Sequence, residues 1–447
     1  DDNGHGTHVA GSVLGDGTHS NGGIVGIAKE AQLIVHSIEQ GGGLGGIPNN
    51  MNDMFQPAYD NGSRIHTNSW GSCGGWNGVS CTIYGLYTTR SAQIDTSANS
   101  LTDMVMMFAA GNDASDANGD GERDDDSVIF EAISKNVITI GASETYRPSN
   151  GSLADNWSGM AAFSSRGPAD DGRYKPDFST PGTHILSTKS RSAGNCGWGS
   201  HNASYCYMGG TSMATPLAAG ATALMIQHLE QNRGHNAPTS ALIKAIYAAT
   251  AHDMMGQYTT PANNGAAESA PNVHEGFGLL DMWAAMNASF VADESLSTTD
   301  DRGWSLNVPA NAPDLRFGLA YNDPAASSSS STQLVNDLDL AVKDPSGTWT
   351  NLSDNINNMR VLNFASPAQG TWEVHVVGTS VPTGPQFFSL AINAEYDLVN
   401  LTQDADFDGT VDESDDCAFT FGTSLHDRRG CPDSDGDGYS DVSSNWT

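Results

Sequence analysis

Two short stretches carry residue types that together could break an amide bond. The first is Gly209-Gly210-Thr211-Ser212-Met213-Ala214-Thr215-Pro216. Its two glycines allow a tight turn and a close approach by another segment of chain. Residues 213–225, rich in alanine and leucine, form an apolar run that predicts a buried helix. Pro216 falls in the first turns of that helix, where its missing N–H costs little. Ser212 therefore projects from a helix N-terminus, where free N–H groups and the helix dipole favour negative charge. A serine oxygen attacking a carbonyl needs such surroundings, and it also needs an adjacent base. The second stretch, His5-Gly6-Thr7-His8-Val9-Ala10-Gly11, supplies a candidate at the start of a helix-like segment, residues 5–14.

Together the two stretches resemble the signature motifs of the subtilisin-like serine proteases, peptidase family S8, in that family's histidine-before-serine order. The resemblance implies Ser212 as nucleophile, His5 as general base and His8 as its buried neighbour. Ala109-Ala110-Gly111-Asn112, at the end of the apolar run 104–110, resembles the family's third motif. It implies that the Asn112 side chain donates to the oxyanion, with the Ser212 N–H as second donor. Ser69-Trp70-Gly71 ends a strand-like stretch, residues 64–71. In the family such an edge pairs with substrate backbone, so Ser69, Trp70 and Gly71 are expected to line the pocket for the residue before the scissile bond. Ala110 and Gly111 are expected to line it too. A plain core role for Trp70 is the competing reading. The family's catalytic aspartate lies in an Asp-Ser/Thr-Gly segment some tens of residues before the histidine motif. Asp1 and Asp2 are too close to His5 and lack that context. The expectation is a fragment whose aspartate lies upstream of Asp1.

The elements that must hold these residues alternate. Short apolar runs at 32–38, 64–71, 104–110 and 136–142 predict buried strands, and 51–60 and 238–249 predict helices. The fold class is α/β, a subtilisin-like parallel sheet with helices on both faces, over residues 1–290. From about Ser295 the runs become short and several alternate, with turn signals such as Asp344-Pro345-Ser346-Gly347 between them. That predicts an antiparallel β-sandwich over residues 295–398. Its segments Leu334-Val335-Asn336-Asp337-Leu338-Asp339-Leu340 and Asp354-Asn355-Ile356-Asn357-Asn358 resemble the sandwich appended to a subset of alkaline, secreted subtilases. Asn336, Asp337 and Asp339 within it either hold calcium or close hydrogen-bonded turns.

Residues 399–447 form an acidic tail. Asp404, Asp406, Asp408, Asp412 and Asp415 fall at calcium-loop spacing with Gly409 at the sixth position. Asp433, Asp435, Asp437 and Asp441 repeat the start of that spacing. With Cys417 and Cys431 between them, the tail resembles thrombospondin type 3 calcium repeats, which implies Ca²⁺ as ligand. An acidic disordered linker is the alternative. Asp116, Asn118, Asp120 and Gly121 match half of a calcium loop, but its twelfth position is Ser127, so a solvated acidic loop is equally open.

The net charge is −33, from 52 acidic and 19 basic residues, which argues against nucleic acid as a partner. No run of about 18 apolar residues occurs, so no membrane span is expected. Six cysteines fall in three close pairs, Cys73/Cys81, Cys196/Cys206 and Cys417/Cys431. They read as short-loop disulfides of an oxidising compartment, or else as buried thiols. The expectation is a secreted or cell-surface, calcium-stabilised serine endopeptidase, acting as a monomer on protein or peptide substrates. The rival is a calcium-dependent adhesion protein with a dead protease domain.

Overall fold

The computed structural model describes residues 3–40, 43–76, 81–115, 124–192, 196–254, 269–401, 416–417 and 420–441. Helices α1 (His5–Leu14) and α2 (Asn52–Asp60) precede strand β1 (Ile65–Asn68). Helix α3 (Thr89–Ser100) leads to β2 (Val105–Ala109), and β3 (Ile138–Ser143) and β4 (Phe178–Pro181) follow. These four strands make a parallel sheet in the order β1-β2-β3-β4. A hairpin of β5 (Ile185–Thr188) and β6 (Tyr205–Met208) runs into α4 (Thr211–Asn232), then α5 (Ser240–Thr250) and α6 (Met282–Met286).

The pleat of β2 sends alternate side chains to opposite faces. Val105 and Met107 join a core with Ala214 and Ala218 of α4 and Leu242 and Ile246 of α5. Met106 and Phe108 join another with Phe55 of α2 and Ile94 of α3. The sheet is thus covered on both faces. Helix α3 lacks an apolar stripe strong enough to predict it. It is held by reciprocal capping, with the Ser91 N–H donating to Thr88 Oγ1 and the Thr88 N–H to Ser91 Oγ.

One expected strand is absent. Residues 32–38 are irregular, and Leu33, Ile34 and Val35 are 47, 43 and 69 % exposed. The stretch has the apolar composition of a buried strand, but composition does not supply a neighbour. Among the described residues β1 pairs only with β2 and no strand pairs with 32–38, although the His36 ring packs against His66 of β1 at 5.7 Å. Without a ladder partner its peptide groups gain nothing from strand geometry.

The second half is all β: β7 (Ser289–Leu296), β8 (Asp301–Val308), β9 (Asp314–Tyr321), β10 (Asp337–Lys343), β11 (Trp349–Leu352), β12 (Met359–Ala365), β13 (Gly370–Ser380), β14 (Gln386–Ile392) and β15 (Val399–Asn400). They form two antiparallel sheets, β11-β10-β13-β8-β15 and β12-β9-β14-β7, around a shared apolar core. β7 starts at Ser289, ahead of the expected boundary at Ser295. Asp337 takes a hydrogen bond from Arg360 Nη2 at 2.7 Å, and Asp339 takes two, from Ser353 Oγ and Thr379 Oγ1. Asn336 Nδ2 donates to Thr383 O and Gln386 Oε1. The cluster is knitted by hydrogen bonds.

The two halves share one interior. Helix α5 lies on the β12-β9-β14-β7 sheet, where a Cβ on Gly318 would come within 2.5 Å of Ala245 O and 2.7 Å of Ala249 N. Only a residue without a side chain lets the helix backbone come so close. Around this seat runs a buried polar seam. Lys135 Nζ donates to the Asp323 carboxylate, to Pro324 O at 2.6 Å and to Gln333 O at 2.7 Å. Asp323 also accepts the N–H groups of Val335 and Asn336. Arg316 donates to Ala251 O and Phe277 O, and Asn358 to Lys135 O.

On the opposite side α1 lies against β5 and β6 through His8. Its Nε2 lies 3.1 Å from Ile185 O and 3.2 Å from Cys206 O, so Nε2 carries the proton and donates to both. Nδ1 is buried without a partner among the described residues. Burial, opposed by the two carbonyls, lowers the His8 pKa to about 4. Cys73–Cys81, Cys196–Cys206 and Cys417–Cys431 are each disulfide-bonded.

Two outcomes follow from these interiors. Lys135→Met strands the Asp323 carboxylate in the seam and lowers stability by about 3–5 kcal/mol in urea denaturation. Both halves then unfold in one transition; separate transitions would mean that the seam does not couple them. Acidification tests His8. Its folded pKa lies below the ordinary 6.5, so between pH 6.5 and about 4 the unfolded chain takes up a proton that the folded one refuses. Stability contributed there is complete above pH 6.5 and is lost as pH falls toward 4. His8→Asn reduces this pH slope of the melting temperature; an unchanged slope would rule His8 out as its source.

Candidate active site

Helix α4 begins at the carboxyl ends of the parallel strands, and the N-terminal turn of that helix carries Ser212. The Thr211 N–H donates to Asn112 Oδ1 at 2.8 Å, and Thr211 Oγ1 lies 3.1 Å from the same oxygen. A backbone N–H can only donate, so the atom facing Thr211 is the Asn112 oxygen. The Asn112 NH₂ group is thereby turned outward, without a partner among the described residues. The Ser212 N–H is also free of partners there, while the next two N–H groups, of Met213 and Ala214, donate to Gly210 O. Gly210 has φ 145°, and a Cβ placed on it would lie 3.6 Å from Asn112 Nδ2 and 3.7 Å from Ser212 N. Two free, uncharged donors thus border the space beside Gly210.

Ser212 is half-buried, and its Oγ donates to Ser69 O at 3.3 Å. Ser69 Oγ returns a bond to Ser212 O at 2.9 Å. This exchange ties the segment leaving β1 to the start of α4. Trp70 is partly buried and packs edge-on against Phe108 at 5.5 Å, with one side in the core under the sheet. Gly71 is packed by Ile129. Ala110 and Gly111 are fully committed: the Ala110 N–H donates to Ile140 O, and Gly111 O accepts from Ser165 N and Thr211 Oγ1. Their backbone groups therefore shape the cleft and are not free to pair with a substrate.

His5 opens α1 and is half-buried. Burial lowers its pKa, which favours the neutral imidazole that can accept a proton. Among the described residues it makes no hydrogen bond, and Ser212 Oγ turns to Ser69 instead. Hydrogen bonding brings Ser212, Asn112 and Ser69 together and leaves His5 unjoined to them. His8 has its nitrogens in the interior and cannot serve as base. Asp1 and Asp2 lie outside the described residues.

Thr211 escaped the reading of the sequence although it sits inside the serine motif. Its hydroxyl bridges Gly111 and Asn112. A threonine before the nucleophile carries no chemical signature of its own. Glu131, also missed, accepts from Ser72 N and Ser72 Oγ at 2.7 Å and from Arg90 Nη1 at 2.9 Å.

In the tail, Asp433, Asp435 and Asp437 each offer an oxygen, all within 4.8 Å of one another. Gly436 and Gly438, at φ 73° and 87°, turn the chain around them. Three carboxylates so close repel unless a cation lies between them, and an all-oxygen set suits Ca²⁺. Asp441 is turned to the N–H and hydroxyl of Ser434 instead. Asp404, Asp406, Asp408, Asp412 and Asp415, and the loop with Asp116, Asn118 and Asp120, lie outside the described residues. No helix among the described residues is long and apolar enough to cross a membrane.

Comparison with known proteins finds several relatives of this chain. The chain is 27 % identical to the serine protease/ABC transporter B family protein tagB of Dictyostelium discoideum, over 88 % of this chain but 27 % of that protein. It is 33 % identical to the serine protease AprX of Bacillus subtilis, over 51 % of this chain and 49 % of that one. The chain thus spans about a quarter of the first and half of the second. The solved prenylagaramide maturation protease PagA matches with a TM-score of 0.41 and 20 % identity, over 64 % of this chain and 81 % of that one. Residues 1–278 match the model of the subtilase family (Peptidase_S8), more than half of the chain, and this chain belongs to that family.

Proposed function

We propose that this chain carries the peptidase domain of a secreted serine endopeptidase that hydrolyses peptide bonds in proteins through an acyl-enzyme. The observation that carries the reading is the bond from the Thr211 N–H to Asn112 Oδ1. It leaves the Asn112 NH₂ and the Ser212 N–H as two preset donors beside the nucleophile. In the first step Ser212 Oγ attacks the scissile carbonyl carbon and His5 takes the hydroxyl proton. The carbonyl oxygen becomes an anion and receives the two donors, which cost no reorganisation because they already face that space. The C–N bond then breaks as His5 returns the proton to the leaving amine. Water repeats the sequence on the ester. Ser69, Trp70 and Gly71 form one wall for the residue before the scissile bond, and Ala110 and Gly111 support the other. The three disulfides support an extracellular or cell-surface setting. A Ca²⁺ ion held by Asp433, Asp435 and Asp437 would cancel their repulsion and order the tail.

A fluorophosphonate probe on the intact protein labels Ser212, and Ser212→Ala removes the label. A folded protein that takes no label is instead the catalytically dead alternative. Asn112→Ala lowers kcat by on the order of 10²–10³, the cost known for such a donor in a subtilisin, with little change in KM. An equal loss in KM alone would move Asn112 from transition-state to ground-state binding. Chelation lowers the thermal midpoint of the calcium-loaded protein, and Asp435→Asn reduces that shift; a chelator-insensitive midpoint would remove calcium from the account.

A further inference from the structure

We infer that Ile129 fills the pocket for the residue before the scissile bond and restricts that residue to a small side chain such as alanine, serine or glycine. The inference rests on the peptidase reading and on the two walls assigned there.

One segment closes the space between those walls. The Ile129 N–H donates to Ala110 O at 3.1 Å, and the Phe130 N–H donates to Ser72 O at 2.9 Å. Consecutive residues therefore bond to opposite walls, which makes residues 129–130 the floor that joins them. The Ile129 side chain rises from this floor. A Cβ on Gly71 would come within 2.1 Å of Ile129 Cδ1 and 2.9 Å of its Cγ1. A Cβ on Gly111 would come within 3.1 Å of Ile129 Cγ2. The isoleucine thus touches the backbone of both walls at the points where each wall lacks a side chain. The width that two glycines open is taken up by one branched side chain, which is itself buried. β-branching leaves it few alternative rotamers by which to swing aside.

The floor also selects by charge. Glu131 Oε2 lies 3.2 Å from the same Gly71 Cβ position, so a carboxylate stands behind the isoleucine. That carboxylate is fully buried and already carries Ser72 N, Ser72 Oγ and the Arg90 guanidinium. Its charge is matched within the chain. A lysine or arginine side chain would find an apolar branch in its path and no free anion beyond it.

Size discrimination in an apolar pocket amounts to roughly 10–200-fold per methylene-sized misfit. A phenylalanine at this position exceeds alanine by a whole ring, so the preference for alanine reaches at least about 100-fold in kcat/KM. The test uses the intact protein, with active sites counted by fluorophosphonate labelling. Peptides identical except for alanine, serine, leucine, phenylalanine or lysine before the scissile bond are compared. The wild type favours alanine and serine. Ile129→Gly raises kcat/KM for phenylalanine by at least about 100-fold relative to alanine, and Ile129→Ala lies between. A wild-type enzyme that cleaves after phenylalanine or lysine as well as after alanine overturns the inference, whether or not the variants fold. A protein that neither labels nor cleaves any peptide of the series overturns the peptidase reading itself, and this inference falls with it.

Discussion

A single hydroxyl fixes the geometry on which the site depends. Thr211 Oγ1 accepts the Gly111 N–H at 3.2 Å and lies 3.1 Å from both Gly111 O and Asn112 Oδ1. It therefore locks the end of β2 to the start of α4. Its single proton is shared between these two oxygens, each 3.1 Å away. The residue is fully buried, which removes competition from water. β-branching limits its χ1, so the hydroxyl position is set by the backbone of the helix N-terminus. The strand end brings Asn112, the helix start brings Ser212, and the threonine sets the spacing between them. Preorganisation of the two free donors is a consequence of this third, unreacting group.

The same logic appears on a larger scale between the α/β and β-sandwich halves. The Lys135–Asp323 pair is fully buried, and such a pair is not in itself a large source of stability, because desolvation offsets much of the attraction. Its effect is positional. Lys135 directly precedes Asn136, which donates to Asp323 O, and the Asp323 N–H returns a bond to Asn136 Oδ1. Two consecutive residues ahead of β3 thus read out one turn after β9. Any shift of the sandwich along α5 would break charged and neutral bonds together, at about 1–3 kcal/mol for each stranded group. The close approach at Gly318 adds a steric limit to the polar one. The sandwich is therefore part of the protease body, and the sheet that carries the site rests on it through α5.

Much of this was legible in the sequence, for physical reasons that differ by element. The serine and histidine stretches declare themselves because catalysis restricts many adjacent residue types at once. Strands β2 and β3 are legible because both faces are buried and their residues are uniformly apolar. Residues 32–38 have the same composition and are not a strand, because a strand is a property of a pair and the neighbour is not written in the segment. Helix α3 was hidden for the opposite reason: its stability comes from caps and two buried apolar positions, which periodicity does not detect. The cysteine pairs could be read because each closes a short loop. Ile129 could not be read as part of the cleft at all. It stands far in sequence from Gly71, and only the fold makes it fill the space those wall glycines leave.

Charge is distributed in a way that composition alone conceals. Among the described residues seven lysines and arginines are buried and six acids, although acids far outnumber bases in the chain. The cations are spent inside: Lys135 and Arg360 in the seam and the sandwich, Arg173 beside Asp171, Lys175 beside Asp177. Lys244 is buried with no hydrogen-bond partner among the described residues, and burial lowers its pKa to about 8. The two sets of buried charges nearly cancel inside, so the net charge of −33 is carried by the surface. A strongly negative surface repels itself and is relieved by counter-ions, so added salt favours the fold.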